Sequence, residues 1–464
     1  MGVTSYEANQ IANALATSVP GAAVILPEHP DYKTARLVWN ACFDKRPAAI
    51  VRCQNTAQVA DTVRFARKAG LLLSIRGGGH SLPGFSTNDG GIVLDLSPMR
   101  EVRVDTDART ATAQGGCTWA DYDAATQQHG LASTGGMLSG TGIGGLTLGG
   151  GIGWLTRQCG LACDNLLGAE VVTASGEVVW ASASEEPDLF WGLRGGGGNF
   201  GVVTSFEFRL HPVQQIHGGF LVFPFDRAHE VCRAYREFVV ELPDELTTLL
   251  SFANAPVDDS FPAELRGQPA LFIGGCDLGS PPAAEERLRP LRKLGPAADF
   301  YPMTSYTDLQ KAFDAEYPAG QRHYFKGGMV AQFTDELIEA IIEHIRVRPS
   351  QMSGLDWHHM GGACARVPTE STAFPDRSSA FIYNVLGNWI VGAEDEANRD
   401  WARRFALDLE RLGGSASYVN FLSEPVAGTR PRAVYGGPKH ERLTDVKRRY
   451  DPSNLFRLNQ NITP

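Results

Sequence analysis

The chain has 464 residues and a formal net charge of −10, from 42 Lys and Arg against 52 Asp and Glu. At roughly 150 residues per domain, this length predicts two or three domains, each large enough to bury a core. Hydrophobic residues make up 43% and charged residues 20%, a balance that excludes a mostly disordered chain. The excess of acidic residues argues against binding to nucleic acid, because no basic surface stands out to neutralise phosphates.

From the sequence, no membrane span, no signal peptide and no metal-binding cysteines are expected. No stretch approaches the ~18 apolar residues of a membrane span, and the first ten residues lack the basic-then-apolar order of a signal peptide. We therefore expect a cytoplasmic protein that does not cross a bilayer. Cys159 and Cys163 are four residues apart, but no second Cys or His pair follows at zinc-like spacing, so we expect no metal site. The eight cysteines are expected to be reduced thiols that pack as small hydrophobic side chains.

The first half of the chain reads as alternating helix and strand. A helix is predicted to begin after Asn55, with Gln58 placed as in a capping box, and to end at Gly70. Strands are predicted at residues 71–75, at 92–96, on both sides of a Ser-Gly turn within 170–180, and at 201–208.

The residue pattern of the sequence changes at about residue 213, where the glycine clusters end. Strand-like runs then alternate with amphipathic helices, and this mixture without strict βαβ order predicts an α+β domain. Thr334 is expected to cap one such helix. The predicted buried stripes of two helices are Leu337, Ile338, Ile341, Ile342 and Ile345 in the first, and Trp401, Phe405, Leu409 and Leu412 in the second.

Glycine accounts for 51 of the 464 residues, above the ~7% that is typical. The excess lies in three loops, at residues 76–81, 140–153 and 194–201. Because glycine has no Cβ, consecutive backbone N–H groups in such loops can approach a pyrophosphate. Three loops in one segment predict a large ligand that meets the backbone at several points. None has Walker spacing, and the G-x-G-x-x-G from Gly140 is not placed in a strand-turn-helix unit, which disfavours ATP hydrolysis and an ordinary Rossmann domain.

His80 follows the first glycine run directly, in the order Arg76-Gly77-Gly78-Gly79-His80-Ser81. Two interpretations remain open from the residues alone. His80 is either a hydrogen-bonded loop histidine or an imidazole beside a bound ring, available as a nucleophile or ligand.

Taken together, the motifs resemble those of the berberine bridge enzyme-like oxidases in the vanillyl-alcohol-oxidase superfamily, with the texture of bacterial members. The segments that carry the resemblance are residues 76–86, 142–151, 160–165, 189–204, 418–421 and 451–462. They occur in the family's order, and the resemblance extends from about residue 40 to the C-terminus.

The resemblance implies an α+β, two-domain fold. Residues 1–213 would form a PCMH-type FAD-binding domain, and residues 214–425 an inserted substrate domain whose antiparallel sheet is covered by helices. Residues 426–464 would return to the FAD domain. The family's pattern also implies a covalent bond from His80 to the 8α-methyl of FAD. Members with a second flavin bond carry a cysteine at the position of Leu138, so a single link is expected here.

The remaining FAD contacts are carried over position by position from the same resemblance. At the pyrophosphate and the attachment loop, the implied residues are Arg76, Gly77, Gly78, Gly79, Ser81 and Gly84. Around the ring and its ribityl chain, they are Thr141, Gly142, Gly145 and Gly149. Along the adenosine half, they are Asp164, Asn165, Gly201 and Val203. From the C-terminal tail, they are Tyr435, Asn459 and Asn461.

The resemblance also indicates the chemistry. Thr141 has the volume of the valine that often stands beside the flavin in oxidases, which favours O2 as electron acceptor and hydrogen peroxide as product. Many relatives use the second tyrosine of a Tyr-x-Asn-Tyr segment as base, but Phe421 stands at that position here. The remaining candidates for the base are Tyr418, Glu424, His359 and Tyr435, and each also has an ordinary structural role open to it.

The substrate pocket is expected to include strand 381–386, Lys326 and segment 358–362. Tyr383 and Val385 would share one face of the strand and Asn384 and Leu386 the other, without a basis for choosing the face that meets the substrate. Aromatic residues at 357, 383, 389 and 421 favour a flat secondary metabolite over a sugar.

Four functions are consistent with these observations. The first is an FAD-dependent oxidase that takes a hydride from a carbon next to oxygen or nitrogen of a small molecule. The others are a flavin dehydrogenase with another acceptor, a sugar or oligosaccharide oxidase, and a nucleotide-binding or storage protein without turnover, in which the glycine loops are only turns.

Overall fold

A computed structural model describes residues 14–15, 17–415, 418–424 and 430–464. Its strands, in chain order, are β1 (Ala23–Ile25), β2 (Ala49–Arg52), β3 (Leu73–Arg76), β4 (Ile92–Asp95), β5 (Val102–Asp105), β6 (Thr110–Gln114), β7 (Leu131–Ala132), β8 (Leu166–Val172), β9 (Val178–Ser182), β10 (Val202–Arg209), β11 (His211–Pro212), β12 (Gln215–Pro224), β13 (Leu246–Asn254), β14 (Pro269–Asp277), β15 (Ala298–Phe300), β16 (Met303–Ser305), β17 (Arg322–Val330), β18 (Gly354–His359) and β19 (Phe381–Trp389). Its α-helices are α1 (Tyr32–Ala35), α2 (Thr56–Ala69), α3 (Trp119–Thr126), α4 (Ile143–Leu148), α5 (Thr156–Cys159), α6 (Pro187–Leu193), α7 (Ala228–Phe238), α8 (Pro281–Lys293), α9 (Tyr306–Gln310), α10 (Asp335–Arg346), α11 (Gly362–Arg366), α12 (Asp395–Arg411), α13 (Arg430–Tyr435) and α14 (Gly437–Tyr450).

The first sheet has the order β1-β2-β4-β3, with β2, β4 and β3 parallel. Helix α2 covers it and confirms the predicted helix. The Asn55 side chain accepts a hydrogen bond from the Gln58 N–H, and Gly70 ends the helix in the left-handed conformation. Its buried face packs on the sheet through Val59, Val63 and Ala66.

The second sheet is antiparallel, in the order β5-β6-β10-β8-β9. Strands β8 and β9 are the predicted hairpin, and Gly176 in its turn has a φ of +80°, a region that favours glycine. The C-terminal helices pack on this sheet, because Val434, Leu443 and Val446 share one buried cluster with Phe206 of β10. The end of the chain therefore returns to the part built from its beginning.

The third sheet is larger and antiparallel, in the order β15-β12-β14-β13-β18-β19-β17, with β16 beside β12. Helices α7, α8, α10 and α12 cover one of its faces. Thr334 caps α10 by accepting a hydrogen bond from the Leu337 N–H, and the predicted isoleucine stripe is buried. In α12 the prediction was wrong for Leu412, which is 37% exposed because the helix ends at Arg411.

These sheets confirm the α+β class. The chain enters the third sheet at Gln215, whereas β11 still pairs with β7 of the preceding part. The predicted boundary at residue 425 lies outside the described residues, so the division into 1–213, 214–425 and 426–464 stays a prediction. Within the described ranges, no helix combines the length and apolarity needed to span a bilayer. All eight cysteines are free thiols, six of them buried.

A buried ion pair joins the two halves of the structure. Arg377, between β18 and β19, donates to both carboxylate oxygens of Asp164, at 2.6 and 2.9 Å. The side chains are 1% and 6% exposed. Arg377 also donates to the Cys364 carbonyl and the Thr372 hydroxyl, so both terminal nitrogens of the guanidinium have acceptors where water is excluded.

We expect Arg377→Ala to lower the free energy of unfolding by about 3–5 kcal/mol, because it leaves the Asp164 carboxylate buried without a partner. Urea denaturation of the flavin-loaded protein measures this. The matched control is Arg448→Ala, which breaks an ion pair with Asp445 whose side chains are 60% and 74% exposed; its effect should stay within about 1 kcal/mol. Equal effects of the two substitutions would contradict the prediction.

Candidate active site

A cavity of about 390 Å³ lies where the glycine loops of the first two sheets face the third sheet. This volume is within the range of small-molecule and cofactor sites. The first and second loops form one wall, the open face of the third sheet forms the opposite wall, and residues 458–460 of the tail close one side. The three glycine loops, segment 418–421 and the C-terminal tail therefore contribute to one site.

The first glycine loop follows β3 and touches the second loop through backbone atoms. A Cβ on Gly78 would lie 2.4 Å from the Gly142 nitrogen, and a Cβ on Gly142 would lie 2.4 Å from the Gly78 nitrogen. No side chain fits at either position. Gly79 has a φ of +74°, which turns the chain so that His80 faces the cavity.

His80 lies on the cavity wall as a neutral imidazole. Burial lowers its pKa to about 4, only weakly opposed by Asp314. Its ring stacks on Trp39, with centroids 4.8 Å apart and planes inclined by 16°. A neutral imidazole has an unshared electron pair on one ring nitrogen, so it can act as a nucleophile.

The opposite wall carries three polar side chains that the third sheet aims into the cavity. Asp356 and His358 alternate along β18 with Leu355 and Trp357, which pack against the helices on the other face. Asn384 of β19 is the direct partner of Asp356 in the sheet. The polar residues thus share the face that meets the glycine loops.

Asp356 is the carboxylate of this group, and its protonation is tuned by burial. The Ser251 hydroxyl donates to Oδ1 at 2.6 Å. Burial raises the pKa of Asp356 to about 6, although the hydrogen bond from Ser251 lowers it. A carboxyl that titrates near neutral pH inside a cavity is suited to accept a proton from a bound molecule.

His358 and Asn384 offer polar atoms that no described residue satisfies. Both ring nitrogens of His358 and the Oδ1 of Asn384 are buried without a hydrogen-bond partner. Burial lowers the pKa of His358 to about 4, so its ring is neutral. Phe421 stacks on it with centroids 5.6 Å apart. These atoms are available to bind polar groups of a ligand.

Comparison with known proteins shows the family to which the chain belongs. Residues 47–182 match the family described as an FAD binding domain, and residues 417–463 match the family described as berberine and berberine like. An FAD-linked oxidoreductase of Bacillus subtilis is 32% identical over 453 residues, which cover 95% of this chain and 96% of the relative. The (R)-6-hydroxynicotine oxidase of Paenarthrobacter nicotinovorans is 33% identical over 461 residues, with 95% and 96% covered.

The chain belongs to the berberine bridge enzyme-like FAD-linked oxidoreductases. The crystal structure of 6-hydroxy-D-nicotine oxidase from Arthrobacter nicotinovorans superposes with a TM-score of 0.85 at 32% identity, covering 96% of this chain and 98% of that one. The resemblance stated from the motifs and the fold it implied are thereby confirmed. Membership of this oxidoreductase family also removes the alternative of a storage protein without turnover.

The residues of this family member fit FAD. A Cβ on Gly145 or Gly198 would meet no atom within 4 Å, so both glycines leave open space along the cavity. The Tyr435 hydroxyl and the Asn459 Oδ1 are buried and have no hydrogen-bond partner among the residues that the structure describes. Of the positions carried over from the family, the cavity wall contains Gly77, Gly78, Gly79, His80, Ser81, Thr141, Gly142, Gly145, Gly201, Val203, Tyr435 and Asn459.

Several other positions do not reach the wall, and each has a physical reason. The Arg76 guanidinium donates to Asp95 at 2.8 Å and to the Ala35 carbonyl at 2.6 Å, so it is used in these hydrogen bonds and does not line the cavity. Gly84 makes room for the Phe43 ring, and Gly149 makes room for the Asn420 amide. These positions support the loops rather than line the cavity.

The pair expected at the adenosine half is also committed elsewhere. Asp164 forms the buried ion pair with Arg377, and the Asn165 amide donates to the carbonyls of Cys159 and Leu161. The Asn461 Oδ1 is buried without a partner, but Asn461 is not on the wall. Asp164 and Asn165 therefore serve to hold the fold around the site.

Two of the four candidates for the base lie off the cavity. His359 accepts a hydrogen bond from Arg157 at 3.3 Å, and burial together with Arg157 lowers its pKa to about 3. Glu424 is held by Lys326 and Arg403, both at 2.7 Å. Burial raises the pKa of Glu424, but the hydrogen bonds lower it by more, so that the pKa is about 2. Neither group can take a proton from a ligand in the cavity.

The two tyrosine candidates line the cavity but are poor bases. The Tyr418 hydroxyl accepts the Gly151 N–H at 2.9 Å and the Asn420 amide at 2.9 Å. Burial raises the pKa of both Tyr418 and Tyr435, so each keeps its proton at neutral pH. The arrangement favours Asp356, which sequence reasoning missed. The sequence signal that could have found it is the alternation of polar Asp356 and His358 with apolar Leu355 and Trp357 along a buried strand.

The prediction that aromatic residues 357, 383 and 389 line the substrate pocket was wrong. Trp357, Tyr383 and Trp389 face the helices of the third sheet, whereas Asn384 and Leu386 face the cavity. Lys326 is paired with Glu424 away from the wall. The aromatic residues on the wall near the polar group are Trp39, Phe313, Tyr317, Phe325 and Phe421.

We expect Gly145→Leu to reduce the flavin content of the purified protein, because the new side chain fills cavity space that the cofactor needs. Overpacking of this kind weakens binding by about 1–3 kcal/mol, whereas the helix itself tolerates leucine better than glycine. The ratio of flavin to protein absorbance measures the effect, and the thermal midpoint confirms folding. Ala397→Leu, on the exposed side of α12, is the control and should keep full flavin content.

Proposed function

We propose that the protein is an oxidase that takes a hydride from a carbon next to oxygen or nitrogen of a small aromatic molecule. FAD, when bound, supplies the acceptor for that hydride and transfers the electrons to O2, which gives hydrogen peroxide. The observation that carries the proposal is the neutral, half-buried His80 on one wall of the cavity and the titratable Asp356 on the other. The first would hold the cofactor through a single bond, and the second would handle the substrate's proton.

Asp356 is the proposed base. Above pH 6 its carboxylate is ionised, and because Ser251 occupies Oδ1, the Oδ2 atom is free to accept a proton from a substrate hydroxyl. His358 and Asn384 would hold the substrate's other polar groups with the atoms that no described residue satisfies. Phe325 and Phe421 would pack against a flat ring and exclude water.

The proposal also assigns FAD binding and substrate binding to different parts of the chain. Residues 1–213 and the tail from residue 426 would hold FAD, and the sheet within residues 214–425 would present the substrate to it. The supporting observations are the packing of α13 and α14 on the second sheet and the polar face of β18 and β19.

His80→Ala is expected to abolish covalent flavin, because no cysteine stands at Leu138 to form a second bond. Intact mass and fluorescence of acid-precipitated protein measure the covalent fraction. The wild-type mass should exceed the polypeptide mass by one FAD less the two hydrogens lost on bond formation, and His80→Ala should match the mass of its own polypeptide alone. The control is His229→Ala, an exposed histidine that should keep the bond. Covalent flavin remaining in His80→Ala would contradict the single link.

Asp356→Asn is expected to lower kcat/KM by roughly 10²–10⁴-fold, the usual contribution of a positioned base. In the wild type, kcat/KM should fall as the pH drops below about 6, because the base acts only when it is ionised. Ser251→Ala should shift this acidic limb to higher pH, since it removes the hydrogen bond that lowers the pKa. Tyr418→Phe is the control and should leave the limb in place. An acidic limb that neither Asp356→Asn nor Ser251→Ala changes would refute the assignment.

Two measurements separate the alternatives. One hydrogen peroxide formed per substrate consumed in air supports the oxidase, and slow reoxidation by O2 with fast reduction of an artificial acceptor supports the dehydrogenase. Anaerobic bleaching of the flavin by phenolic alcohols and amines, compared with oligosaccharides, separates the proposed substrate class from the sugar oxidase.

A further inference from the structure

A column of three stacked rings crosses the junction between the flavin loop and the third sheet. The Trp39 indole lies between the imidazoles of His80 and His323. The His80 centroid is 4.8 Å from that of Trp39, with planes inclined by 16°, and the His323 centroid is 3.7 Å away, with planes inclined by 1°. His80 belongs to the loop after β3, whereas His323 belongs to β17.

The far end of the column is fixed by hydrogen bonds. His323 Nδ1 and Asn388 Oδ1 are 2.7 Å apart, and the Asn388 amide nitrogen donates to the Met352 carbonyl. Since the amide nitrogen of Asn388 is used as a donor, its Oδ1 accepts, and the His323 proton lies on Nδ1. Burial lowers the pKa of His323 to about 4, so its ring is neutral. The Trp39 Nε1–H donates to the Tyr317 carbonyl at 2.9 Å.

The next residue, Asn40, ties the same two elements together. Its amide nitrogen donates to the carbonyls of Leu82 and His323, both at 2.9 Å, and its Oδ1 accepts the His323 N–H at 3.0 Å. The Trp39 N–H in turn donates to the Gly79 carbonyl at 3.2 Å. Residues 39–40 therefore bind the His80 loop on one side and β17 on the other.

The His80 ring itself has no such anchor. Its nitrogens form no hydrogen bond with the part of the chain that the structure describes, so stacking on Trp39 sets the plane of the ring. Attack on a carbon atom requires a ring nitrogen held at the correct angle, and errors of about 1 Å can slow a reaction by roughly 10²-fold. The orientation of His80 thus depends on Trp39, and that of Trp39 depends on β17.

We propose that Trp39 is a positioning residue for covalent attachment of FAD, and that His323 braces it from the third sheet. This inference rests on the proposed bond from His80. Formation of that bond joins a His80 ring nitrogen to the 8α-methyl carbon and releases one proton from the carbon, one from the imidazole, and two electrons. Dioxygen takes up both electrons and both protons as hydrogen peroxide. Attachment at the full rate would therefore need the third sheet packed against the loop that carries His80, because His323 of that sheet holds Trp39 in place.

The test follows the covalent fraction of flavin over time in the full-length protein, prepared without flavin and then supplied with excess FAD. Acid precipitation separates bonded from released flavin, and total flavin content reports binding. Trp39→Leu should still bind FAD but form the bond roughly 10- to 100-fold more slowly, whereas Trp39→Phe should restore the rate because a ring remains. His323→Leu should slow attachment, and His323→Phe should not.

Trp401→Leu is the matched control. Trp401 is also buried, and its Nε1–H likewise donates to a backbone carbonyl, that of His344, at 2.9 Å. This variant should lose stability without a change in the rate of attachment. Should Trp39→Leu fail to fold, the His323→Leu and His323→Phe pair decides the question.

The outcomes distinguish this inference from the proposed function. If the wild type releases all of its flavin into acid, the bond from His80 is refuted and the inference falls with it. If the wild type retains its flavin and both Trp39→Leu and His323→Leu attach it at the wild-type rate, only the inference is overturned.

Discussion

The site depends on two chain segments that touch through their backbones. Gly78 and Gly142 come so close that a single added carbon on either would lie 2.4 Å from a backbone nitrogen of the other. This contact brings the loop that carries His80 against the loop that begins α4, and the cavity is the space that the two leave open. Because neither position has room for a side chain, the contact tolerates no residue other than glycine.

The environment then determines what each polar group can do. Burial keeps His80 and His358 neutral, and it brings Asp356 into the range where a carboxyl can exchange a proton near neutral pH. Strong ion pairing has the opposite effect on Glu424, whose carboxylate stays charged and occupied. Residues of similar chemistry are thus separated into reactive and structural groups by their partners, as is common around active sites.

Much of the fold was predictable because its signals are local. The cap at Asn55, the stripe after Thr334 and the hairpin before β10 each depend on residues within a few positions of one another. The glycine loops also predicted a large ligand, and the family resemblance implied that this ligand is FAD. The face of β18 and β19 that meets the cavity was not predictable, since it depends on which layer packs on which side. The true partner of Asp164 is 213 residues away, so the position carried over from the family gave no hint of the ion pair.

The alternation along β18 and β19 has an evolutionary consequence. Odd-numbered positions such as Leu355, Trp357 and Tyr383 pack against the helices, while even-numbered positions such as Asp356 and Asn384 face the cavity. A substitution at an even position would alter the cavity wall without disturbing the helical layer. Divergence in what such enzymes accept can therefore proceed at little structural cost, provided that the pairing of the strands is never shifted by one residue.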